Sequence, residues 1–163
     1  VRNGDIRVLL LGESTSNFHH LQKSLERRHC SCRKVHSYEE AHRVLEEETP
    51  DIVLSAIPPQ PGAISSLTER LAGSKASFYY AYPVERGCWW LPALRRGERC
   101  FGAPAMRPGM FTGVIDQVVE TIRAERGQQQ RTTAPAVALS RVVPVRPIRP
   151  RNAALLAFTK AAG

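Results

Sequence analysis

Residues Thr49–Gly62 read TPDIVLSAIPPQPG, and this stretch constrains the fold more than any other. Pro50 stops a helix arriving from the N-terminal side. Asp51 opens a short apolar run, Ile52-Val53-Leu54, closed by Ser55-Ala56-Ile57. A run this short and this uniformly apolar suits a strand covered on both faces, as in a parallel sheet between helix layers. Pro58-Pro59-Gln60-Pro61-Gly62 then places a loop at the strand's C-terminal edge, where open α/β sheets usually carry their chemistry. That tip offers Ser55 and Ala56 and no carboxylate.

The remaining elements fall into place around this strand. Ile6–Leu11 is a second apolar run with β-compatible residues, followed by a Ser/Thr cluster that supplies helix N-caps. Phe18, Leu21 and Leu25, at i, i+3 and i+7, predict an amphipathic helix over Asn17–Arg28. Ser31–Val35 is a weak strand signal. Ser37 followed by Glu40 makes a capping box for a helix whose apolar face is Ala41, Val44 and Leu45. Ile64, Leu67 and Leu71 mark a third helix, stopped by Gly73. Ser77–Tyr82 reads as an aromatic strand ended by Pro83. A short helix over Leu91–Arg96 and a brief strand at Cys100-Phe101 follow. The spacing of Phe111, Ile115, Val118 and Ile122 predicts a closing helix over Met110–Arg126. The alternation implies a doubly wound, five-stranded parallel sheet between two helix layers over residues 5–126.

Composition changes at Gly127. From there on Arg131, Arg141, Arg146, Arg149, Arg151 and Lys160 meet no acid, so only +2 of the net charge of +8 belongs to residues 1–126. Spaced prolines among these arginines predict an extended basic tail over 127–163. Asn152–Ala162 could close it with a short helix, provided something receives Leu155, Leu156 and Phe158. No apolar run approaches the roughly 20 residues of a membrane helix, and no secretory pattern opens the chain, so a cytoplasmic protein is expected. The four cysteines, Cys30, Cys32, Cys88 and Cys100, lack the paired spacing of a zinc site and read as reduced structural thiols. The histidines show no metal-like spacing. No Gly-x-Ser-x-Gly elbow surrounds Ser55, and no glycine-rich phosphate loop follows the first strand. No enzyme activity, metal or cofactor is expected.

Five βα units in about 125 residues, with these local phrases in this order, resemble the receiver domain of bacterial response regulators. Val8–Glu13 resembles its first strand and acidic corner, Pro50–Gly62 its third strand and loop. Ala93–Gly97 resembles the fourth helix entering the fifth strand, and Ala103-Pro104 stands where the family places Lys-Pro. The resemblance implies phosphoryl transfer to an aspartate beside a bound Mg²⁺, with a lysine and a hydroxyl completing the switch. Matched position by position, the corner is Gly12 and Glu13, the acceptor is Ala56 with Ser55 beside it, the switch hydroxyl falls near Ala81, and the lysine is Ala103. So many losses together imply a pseudo-receiver that keeps the scaffold without the chemistry.

What remains is binding. In one reading, a phosphorylation-independent signalling module docks a protein, or a second copy, through its fourth helix, fifth strand and fifth helix. Trp89 and Trp90 serve there either as an exposed patch or as gap-filling indoles, beside Arg95, Arg96, Arg99 and Arg107. In the alternative, the basic tail binds nucleic acid.

Overall fold

The computed structural model describes residues 5–13 and 16–133. In chain order the elements are β1 (Ile6–Leu11), α1 (Ser16–Arg27), β2 (Cys30–Val35), α2 (Tyr38–Glu47), β3 (Ile52–Ser55), α3 (Ala63–Leu71), β4 (Ser77–Val84), β5 (Gly87–Arg95), β6 (Glu98–Arg99) and α4 (Pro108–Thr133). They build one sheet in the order β2-β1-β3-β4-β5-β6.

β3 is central and buried along its whole length. It pairs parallel with β1 on one side and with β4 on the other. Its alternation divides the interior. Ile52 and Leu54 join Val8 and Leu10 under Phe18, Leu21 and Leu25 of α1 and Phe111, Ile115 and Ile122 of α4. Val53 joins Leu9 and Leu11 under Ala41 and Val44 of α2 and Leu67 and Leu71 of α3. Helices therefore cover both faces, as a continuous apolar strand demands.

Helix entries follow local chemistry. The Ser37 side chain accepts from the Glu40 amide at 3.1 Å, and the Glu40 carboxylate accepts from the His36 amide at 2.8 Å, one residue before the cap. Arg33 pairs with Glu47 and Glu48 at the far end of α2. α4 starts at Pro108, where a missing N–H costs nothing, and runs through Gly127 to Thr133, longer than its apolar spacing predicts. Arg126 ties it to the lower sheet edge, donating to the Asp5 carbonyl at 3.0 Å and to Asp51 at 2.6 Å.

The expected five-stranded, all-parallel, doubly wound receiver fold is overturned. The sheet has six strands and is mixed, because β4 turns straight back into β5. Leu91–Arg96, expected as a helix, lies almost entirely in β5, and Cys100-Phe101 is in no strand. The physical reason lies in the hairpin. β4 does not stop at Pro83 but continues to Val84, beyond the end of β3, where one edge has no ladder partner and a missing N–H costs little. Glu85-Arg86 makes the turn, with Gly87 at φ +111°. Pro92 is accommodated at an irregularity: Tyr79 pairs with Pro92 but Phe78 with Leu94, leaving Ala93 as an extra residue. No helix separates β4 from β5, so the expected docking face of fourth helix, fifth strand and fifth helix does not exist.

Candidate functional site: the sheet edge and the uncovered hairpin face

The C-terminal edge of the sheet gathers part of the degenerate acceptor region. Ala56 donates its amide to the Leu11 carbonyl at 2.7 Å, and the Gly12 amide reaches the Val35 carbonyl at 2.9 Å. A side chain on Gly12 would place its Cβ 3.2 Å from that of Ala56, so the two backbones close the place where an acid pair would sit. Glu13 points to solvent. Ser55 is fully buried on the α2 side, its Oγ 3.3 Å from the Tyr38 hydroxyl, which also donates to the Ile57 carbonyl at 3.4 Å. Burial pushes the Tyr38 phenol up, so its proton stays in this network. Ala81 is buried opposite Trp90 on the other face, and Ala103 lies half-buried after β6. Among the described residues this edge brings together the Ala56 methyl, the Glu13 carboxylate and the buried Ser55–Tyr38 hydroxyl pair. Among the described residues no group of three His, Cys, Asp or Glu side chains could hold a metal.

The cysteines are free thiols. Burial pushes Cys32 up to about 12, and burial also raises Cys30, Cys88 and Cys100. Thiols so protonated at neutral pH are weak nucleophiles.

The candidate interaction residues divide sharply. Trp90 is 4% exposed and stacks on Phe111 of α4, ring centres 4.3 Å apart and nearly parallel. Trp89 points the other way and is 39% exposed, paired in register with Tyr82, which is 52% exposed. Tyr80, two residues before Tyr82, shares that face and packs against the α2/α3 cluster. Met106 pairs with Trp90, and Arg107 beside it sets its guanidinium 5.9 Å from the centre of the Trp89 ring. Arg99 pairs with Leu94 of the same cluster and borders a cleft of about 200 Å³ with Tyr80, Pro92 and the 85% exposed Phe101.

Arg95 and Arg96 belong elsewhere. Arg95 lines a groove against Gln117 and Val118 of α4. Arg96, at φ +52°, bonds its amide to Ser77 and its guanidinium to the Lys75 carbonyl and the Glu125 carboxylate, so it locks the β5–β6 turn to α4. The residues missed from sequence were Tyr80, Tyr82 and Phe101. Ser77–Tyr82 reads as a core strand, and nothing local says that its end at Tyr82 extends beyond the cover of α2 and α3.

β4 passes into β5 through a two-residue turn, and Tyr82 and Trp89 stand exposed as a register pair near it. Comparison of the chain with protein-family models, curated proteins and solved structures finds no match. Among the described residues no helix is long and apolar enough to cross a membrane.

Proposed function

We propose that the chain is a phosphorylation-independent protein-interaction module that docks a partner on the uncovered face of β4 and β5. The observation that carries this reading is the register pair Tyr82–Trp89 beside the two-residue β4–β5 turn, both rings exposed on one face of the hairpin. Exposed aromatics clustered beside arginines are the composition of binding hot spots. Gly12 and Ala56, which carry no carboxylate at the end of β1 and β3, support independence from phosphorylation. Four free thiols suit a reducing compartment.

The test is site-specific photocrosslinking with benzoylphenylalanine at position 89 and, as a control, at Lys23, exposed on α1 across the sheet. A discrete protein adduct from position 89 alone is the expected result. Equal adducts from both positions, or none from 89, would refute the docking face. The second reading, nucleic-acid binding, rests on the acid-free basic composition after Gly127. It predicts that affinity resides in residues 134–163, which lie outside the described residues.

A further inference from the structure

We infer that the docked partner segment is acidic as well as apolar, an inference that rests on the docking reading above. The floor of the face is Tyr80, Tyr82 and Trp89. Two cations border it: Arg99 in the cleft beside Phe101, and Arg107 against the Trp89 ring. Neither has an ion-pair partner among the described residues. No residue lining the cleft is acidic. Glu98, adjacent to Arg99 in sequence, pairs in register with Arg95, and that pair is on the α4 side of the sheet. The apolar face therefore carries two cations with no ion-pair partner among the described residues. A carboxylate reaching either guanidinium makes a charge-assisted bond, and Arg107 can donate in the plane of its guanidinium while staying over the indole.

The same charges reject the two occupants nearest to hand. Residues 134–163 carry Leu155, Leu156 and Phe158, but also Arg141, Arg146, Arg149, Arg151 and Lys160 with no acid, so they bring like charge to the face. A second copy docked about a twofold axis would set the same patch, with Arg99 and Arg107, against itself.

The experiment is selection of phage-displayed random 16-residue peptides on the immobilised full chain. The enriched sequences are then synthesised and titrated by fluorescence anisotropy. Enrichment of Asp and Glu among aliphatic and aromatic residues is expected. The double variant Arg99→Glu/Arg107→Glu should weaken binding by about tenfold or more, equivalent to about 1.4 kcal/mol. Trp89→Ala, with Tyr82→Ala as a second surface variant, should weaken it similarly while circular dichroism stays unchanged. Peptides that need Trp89 but show no acid excess, or that ignore the charge reversal, would overturn the acidic partner and leave the docking face standing. An absence of enrichment, or full binding to Trp89→Ala and Tyr82→Ala, would overturn both. Competition by a synthetic peptide of residues 150–163 would assign the face to the chain's own tail. A dimer in sedimentation that Trp89→Ala dissolves would assign it to a second copy. Either result rejects the proposal.

Discussion

Trp89 and Trp90 are neighbours in the chain, yet the pleat sends one indole to solvent and the other onto Phe111. Truncating each should therefore have different consequences. Trp90→Ala opens a cavity under α4 and should cost about 3–5 kcal/mol of unfolding free energy. Trp89→Ala removes a half-exposed ring and should cost within about 1 kcal/mol. Urea denaturation of the two variants checks this, and equal losses would mean the indoles are misassigned. The thiols give a prediction at the same scale. Cys32 titrates at about 12 in the folded chain against 9.0 for an ordinary cysteine, so the folded state holds its proton more tightly. The stability this contributes is complete below pH 9 and is lost as pH rises from 9 towards 12. Cys30, Cys88, Cys100, Tyr38 and Tyr79 are shifted in the same direction by burial and add to the fall. Urea midpoints should decline through this range, and Cys32→Ala should decline less steeply. A parallel decline in the variant would show that Cys32 contributes nothing.

Among the elements, those whose signal is local were legible. β3 announced itself by apolar residues between prolines, α2 by Ser37 and Glu40, and α4 by the spacing of Phe111, Ile115 and Ile122, although Val119 and not Val118 fills the core position between them. β5 was not legible, because Trp90 and Leu94 are buried on opposite faces around an extra residue at Ala93, so no clean period of two exists. Pro92 also argues against a strand unless the bulge that accommodates it is known. The proposed interaction face was half legible: of the six candidates Trp89, Arg99 and Arg107 lie on it, Trp90, Arg95 and Arg96 do not, and where the helices stop covering the sheet is a property of topology. Arg96 and Gly97 show how tightly the β5–β6 turn is fitted. Gly97 sits at φ +84°, and a Cβ there would fall 1.9 Å from the Ser74 carbonyl oxygen, which is backbone and cannot swing aside. Gly97→Ala should cost about 2–4 kcal/mol by combining positive-φ strain with that clash. Gly102, at φ +66° with open space around its Cβ position, separates the two causes. Its alanine variant should lose only about 1 kcal/mol. Similar midpoints for both variants would remove the clash from the account.

Phosphoryl transfer and binding are properties of the whole molecule. Incubation with acetyl phosphate and Mg²⁺, followed by intact-mass measurement, should show no added mass, since Ala56 at the end of β3 offers no carboxylate to accept the group. A stoichiometric, hydroxylamine-labile gain of one phosphoryl group would contradict that. Binding separates by salt. Arg141, Arg146, Arg149, Arg151 and Lys160 all follow Thr133, where α4 ends. If those five cations contact duplex DNA, counterion release gives a log–log salt slope of at most about −4.5, at about −0.9 per phosphate. Docking on Tyr82 and Trp89 draws mainly on apolar burial and should change far less with salt, the contribution of Arg99 and Arg107 being the screened part. A chain ending at Thr133 keeps β4, β5, α4 and every ion pair described above. It should therefore retain peptide affinity within about twofold of the full chain while losing any salt-steep retention on DNA. If truncation abolishes peptide binding while the intact chain still binds DNA below about 0.1 M salt, the basic segment is the functional one and the uncovered face is not.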